Sequence, residues 1–115
     1  MIAAFSIQPT GRPSDPALVR TLEDGADAAS VHDAVAAAVR IVRDSGLPTR
    51  TSAMFTEVEG EWDEVMDVVK RATAEAARYG SRVSLVLKAD IRPGHDGEIE
   101  GKVERLEAAV DRLES

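Results

Sequence analysis

The chain has 115 residues, 43% of them hydrophobic, with 14 Lys+Arg against 21 Asp+Glu and a formal net charge of −7. That size suits one domain with one core and that composition excludes a disordered chain, while the lack of cysteine excludes disulfides, zinc fingers and thiol nucleophiles. Net acidity argues against nonspecific nucleic-acid binding, and no apolar run approaches the roughly 20 residues of a membrane-spanning helix.

The opening MIAAFSIQPTG has no basic segment and does not read as a signal peptide, so a soluble cytoplasmic protein is expected. Ile2 to Gln8 reads as a strand ended by Pro9-Thr10-Gly11, with Ala3, Phe5 and Ile7 on one face and Ala4, Ser6 and Gln8 on the other. A long loop follows at about 11–29. Within it Asp15 suits an N-cap and Pro16 the first position of a short helical turn to Leu22, with Gly25 as its end.

The first long helix starts at Ser30, where Ser30 and Asp33 resemble a capping box. Val31, Val35, Val39 and Val42 form its stripe, flanked by Ala34, Ala38 and Ile41. Asp44-Ser45-Gly46 ends it and Pro48 keeps it from resuming. Thr49 to Glu59 suggests one strand, or two short strands with a tight turn near Met54. Glu61 to Tyr79 is the second long helix, with Trp62, Val65, Met66, Val69, Ala72 and Ala76 as its apolar stripe and Gly80 as its C-cap.

Arg82 to Arg92 alternates most clearly: Val83, Leu85, Leu87, Ala89 and Ile91 against Ser84, Val86, Lys88, Asp90 and Arg92. A turn-rich loop leads to a last helix from about Glu98 to Leu113, whose Ile99, Val103, Leu106, Val110 and Leu113 form an a/d-type seam. The order β-α-β-β-α-β predicts an α+β fold, a ferredoxin-like split βαβ sandwich with an additional C-terminal helix, over residues 1–115 as a single domain. Two helices cover one sheet face, and the other is wet or covered by a partner. The last helix then covers an edge or docks on a neighbour.

That open face carries Ser6, Gln8, Ser84, Val86, Lys88 and Asp90. It is a solvated surface, or a ligand or subunit interface; alternation does not separate these. Lys88, Asp90 and Arg92 share one strand face, with neighbours about 7 Å apart by strand geometry, as a polar-ligand set or as structural ion pairs. They are also the only plausible enzymatic kit. Glu57 and Glu59 share a face, an arrangement that is more often solvated than catalytic. His32 and His95 lack metal-ligand spacing, and no nucleophile elbow, phosphate loop or dinucleotide fingerprint is present. Trp62 reads as a core anchor. No catalytic residue, metal ligand or cofactor site is assigned.

The motifs in order are IAAFSIQPTG, Ser30-Val31, then SGLPTRTSAMFTEVEGEWDEVMDVVKRA, RVSLVLKADIR and EGKVERLEAAV. Together they resemble the small thiamine-binding protein family over residues 1–11 and 30–113. The most specific stretch is Ser52-Ala53-Met54-Phe55-Thr56 leading to Glu59-Gly60 and a helix. The resemblance implies a ferredoxin-like fold whose sheets pair into dimers and then tetramers in the cytosol. It also implies binding of thiamine, or of its aminopyrimidine part, without an established reaction. The chain departs from the family pattern in its longer loop over 12–29 and in Ala4, where an acidic residue is frequent.

For such a ligand, Asp90 or Glu59 would favour the thiazolium cation electrostatically. Met54 and Phe55 would pack on the flat rings, and Ser6, Ser30, Ser52 and Thr56 would hydrogen-bond the aminopyrimidine and hydroxyethyl groups. Lys88 opposes a cation unless it is paired with Asp90 or meets a phosphate. The expectation is non-catalytic binding at the open sheet face or at a subunit interface of a homo-oligomer, with a homo-oligomer lacking any small ligand as the alternative.

Overall fold

The computed structural model describes residues 1–18 and 31–114. Four strands form one antiparallel sheet in the order β2-β3-β1-β4: β1 (Ile2–Thr10), β2 (Thr49–Thr51), β3 (Thr56–Glu59) and β4 (Arg82–Asp90). The helices are α1 (Val31–Asp44), α2 (Trp62–Ala76), which tightens into a 3-10 turn over Ala77–Tyr79, and α3 (Glu98–Glu114). This is the ferredoxin-like βαββαβ sandwich with a C-terminal helix.

β1 lies at the centre because its alternation suits burial on one side. Ala3, Phe5 and Ile7 are buried beneath α1 and α2, with Val58 paired to Ala3 on the same face. Burying a side chain such as Phe5 contributes roughly 1.5–3 kcal/mol. α2 supplies Val65, Val68, Val69, Ala72 and Ala76 to this core, and α1 supplies Ala38 and Val42. The alanines let the two helices approach each other closely.

That close approach shifts the expected α1 stripe. Ala34, Ala38 and Val42 form its most buried line, whereas Val35 turns outward and is 37% exposed. α1 ends as expected at Asp44, where the Ser45 hydroxyl donates to the Val42 carbonyl at 2.5 Å. Gly46 then takes a left-handed φ of 80°, a conformation with little cost for glycine. Near the start of the chain, the Ala17 N–H donates to the Asp15 carboxylate at 2.9 Å, so Asp15 does cap a helical turn. Gly25, Leu22 and Ser30 lie outside the described residues.

Several expectations are corrected. Between the two readings of Thr49 to Glu59 the structure selects the pair of short strands, because the Ser52 hydroxyl accepts the Phe55 N–H at 3.2 Å and closes a turn around Met54. β4 ends at Asp90, not Arg92, because its partner β1 runs out where Ile2 pairs with Asp90. Arg92 therefore leaves the strand face of Lys88 and Asp90. Trp62 is 55% exposed: it is the first residue of α2, one turn before the buried line that begins at Val65.

Gly80 does cap the last helical turn, as expected, though not in a left-handed conformation. Its backbone is extended, and a Cβ there would come within 2.5 Å of the Thr10 carbonyl oxygen. Glycine is needed at this position because β1 passes so close.

α3 lies on the sheet face opposite α1 and α2, at one end. Of its expected seam only Ile99 is buried; Val103, Leu106, Val110 and Leu113 are exposed at 39%, 60%, 37% and 86%. No described helix is long and apolar enough to cross a membrane.

Candidate functional site

Strand lengths create the first candidate site. β3 stops at Thr56, opposite Phe5, while β1 continues through Ile7 to Thr10. Beyond that point, among the described residues, one side of β1 has no strand beside it, and the β2–β3 turn overhangs the gap. The result is a cleft of about 300 Å³ between this turn, β1 and the outer flank of α1. Its apolar wall comes chiefly from Ile7, Val35, Val39 and Met54, and its hydroxyls from Ser6, Thr51, Ser52 and Thr56. The side chains of the described residues that line it carry no ionisable group.

Five of the expected ligand residues meet here: Ser6, Ser52, Met54, Phe55 and Thr56. They share the cleft because the turn folds residues 52–55 back over β1. Ser52 is already engaged, since its hydroxyl also donates to the Phe55 carbonyl at 3.1 Å. Val35 and Val39 also line this cleft; Val39 is buried, as its place in the α1 stripe predicts, whereas Val35, expected in the core, is exposed. The helical spacing gives a stripe, and only the packing of Ala34 and Ala38 shows that its Val35 edge faces outward.

Lys88 and Asp90 lie elsewhere. With Ile2, Ala4, Arg50 and Glu57 they face α3 across the open side of the sheet, where a second cleft of about 290 Å³ opens. Ser52 lines both clefts. Asp90 accepts a hydrogen bond from the Lys102 ammonium of α3. That hydrogen bond, aided by the ammonium charge, holds the Asp90 carboxyl below its ordinary range.

Glu59 is committed to structure. It is 6% exposed, and its two carboxylate oxygens accept the backbone N–H groups of Glu98 at 2.8 Å and Ile99 at 3.3 Å. These are donors at the start of α3 that have no partner within the helix, and the helix dipole favours an anion there. Glu98 in turn accepts from Arg105 at 2.6 Å, which lowers the Glu98 carboxyl pKa mainly through that hydrogen bond. Neither carboxylate expected to neutralise a thiazolium ring thus faces the first cleft.

Among the described residues, no group of three or more His, Asp or Glu side chains could hold a metal ion. His95 lies 3.9 Å from Glu98, and His32 is on the exposed side of α1.

Fold and clefts together define a small ferredoxin-like sandwich with its C-terminal helix anchored on the open sheet face. The chain belongs to the thiamine-binding protein family, whose profile matches residues 21–107. It is 41% identical to the UPF0045 protein Mb1933 of Mycobacterium bovis, over 99% of this chain and 98% of that protein. Among solved structures it is similar to hypothetical protein MJ1052 from Methanocaldococcus jannascii, with a TM-score of 0.70 and 28% identity over 91% of this chain and 93% of that one. A DUF77 domain from Bacillus cereus matches with a TM-score of 0.69 and 29% identity, covering 89% and 85% of the two chains.

Proposed function

We propose that this protein binds thiamine through its aminopyrimidine ring, without catalysing a reaction, as a cytoplasmic homo-oligomer. Family membership supports the thiamine class. The observation that carries the choice of ring is the chemistry of the first cleft: apolar walls, hydroxyls and no charged side chain among the described lining residues. A permanent thiazolium cation gains nothing from such walls and loses hydration on entering. A neutral aminopyrimidine can stack on Phe55 and Met54 and exchange hydrogen bonds with Ser6 and Thr56. About 300 Å³ is also at the small end of ligand clefts, which span roughly 300–1,000 Å³.

Thermal unfolding with thiamine, thiamine pyrophosphate and hydroxymethylpyrimidine tests this. A ligand at about 100 times its dissociation constant adds roughly 2.7 kcal/mol, a rise of several degrees for a domain of this size. No rise with any of the three contradicts the proposal.

A second reading is a homo-oligomer without a small ligand. The exposed seam of α3 favours it, since Leu106 and Leu113 are 60% and 86% exposed on one chain. A second copy of the chain would cover that seam in either reading, so the thermal experiment, not the oligomeric state, separates the two.

A further inference from the structure

The second cleft, between the open sheet face and α3, has an unbalanced charge set. It is lined by three cations, Arg50, Lys88 and Lys102, and three carboxylates, Glu57, Asp90 and Glu98. Two of the carboxylates are neutralised from α3, Asp90 by Lys102 and Glu98 by Arg105. What remains is Arg50 and Lys88 against Glu57. Neither of those cations makes an ion pair among the described residues. On a chain of net charge −7, this local cation excess runs against the overall field.

The sheet register sets Arg50 directly opposite Glu57 but leaves Lys88 without a cross-strand carboxylate. One row across the open face reads Arg50, Glu57, Ala4, Lys88. Strands lie about 4.8 Å apart, so Ala4 puts Lys88 roughly 10 Å from Glu57 at the backbone. Alanine also leaves the space above β1 empty, roofed by Ile99 and Val103. Arg50 and Lys88 reach this gap together with Glu57.

We propose that this cleft is an oxyanion site that takes the phosphate of a phosphate monoester or free phosphate. Lys88 supplies a point charge from β4 and Arg50 a planar fork from β2. Glu57 faces the same space and limits the affinity. The site does not depend on the ring-binding reading above. Ser52 lines both clefts, so a phosphate carried by a ring ligand and a free phosphate are two sources of the same chemistry.

Calorimetric titration with inorganic phosphate, against sodium chloride at matched ionic strength, tests the proposal. Wild-type protein binds phosphate, and Lys88→Gln and Arg50→Gln each weaken it about tenfold. Glu57→Gln strengthens it, which a merely structural role for these residues does not produce. No binding beyond the chloride control overturns the proposal, as does equal affinity in wild type, Lys88→Gln and Arg50→Gln.

A second arm compares thiamine with thiamine monophosphate. Tighter binding of the monophosphate in wild type, abolished by Lys88→Gln, supports a ligand-borne oxyanion. Equal binding of the two, with a Lys88-dependent response to inorganic phosphate, supports free phosphate. Failure of thiamine itself to bind counts against the ring reading and leaves the inorganic phosphate result to decide this site.

Discussion

Glu59 at the end of β3 accepts the backbone N–H of Glu98 at 2.8 Å, bridging 39 residues of sequence. This contact starts α3 on the sheet. Losing a side-chain cap costs about 0.5–2 kcal/mol, and losing only the charge at a helix N-terminus about 0.3–1 kcal/mol. Glu59→Ala is therefore expected to destabilise more than Glu59→Gln, and both to speed amide exchange in the first turns of α3. Urea unfolding with hydrogen exchange checks the order. Equal stability and unchanged exchange in both variants contradict the anchoring role.

Acid is expected to loosen the same helix. Hydrogen bonds from Lys102 and Arg105 hold the Asp90 and Glu98 carboxyls below their ordinary values. With lowered folded pKa values, the folded chain binds fewer protons than the unfolded chain, so stability rises with pH through that window. The contribution is complete above the unfolded carboxylate range, near about pH 4, and is lost as pH falls through the folded values. Asp90→Asn with Glu98→Gln should flatten the acid limb of a stability–pH curve, modestly because the Asp90 pair is exposed.

Gly80→Ala is expected to destabilise by about 1–3 kcal/mol through overpacking. The new Cβ would meet the Thr10 carbonyl oxygen at 2.5 Å and its nitrogen at 2.9 Å. The φ of −164° is open to any residue, so contact alone is the cause. Chemical denaturation measures it, and a neutral result would mean that β1 can yield at Thr10.

Leu106→Glu places a charge in the middle of the exposed seam of α3. In a lone chain this surface change should alter stability by no more than about 0.5 kcal/mol. If a second copy covers the seam, the buried charge dissociates the oligomer. Light scattering coupled to size exclusion reads the mass, and an unchanged oligomer places the interface elsewhere.

The sequence makes legible whatever depends on near neighbours. Alternation in β1 and β4 separates the two sheet faces, Asp44-Ser45-Gly46 marks the end of α1, and the turn near Met54 follows from residue type. What depends on distant partners is not legible. Glu59 reads as a surface acid because the N–H groups that bury it lie 39 and 40 residues away. Gly80 looks like an ordinary helix stop because nothing local reveals Thr10. Val35 looks like core because a helical stripe does not say which of its edges faces solvent. The ring cleft is half visible for the same reason: its turn residues lie together in sequence, whereas its α1 wall depends on how two helices pack.

The most direct measurement of the central claim is calorimetric titration with hydroxymethylpyrimidine and, separately, with the thiazolium half of thiamine. Wild-type protein is expected to bind the pyrimidine and not the thiazolium. Val35→Trp, made at a position 37% exposed on the cleft wall, should fill the space and weaken pyrimidine binding at least about tenfold. Its melting temperature should change little, as for other surface substitutions. Binding of the thiazolium alone, or pyrimidine binding that Val35→Trp leaves intact, would contradict the account.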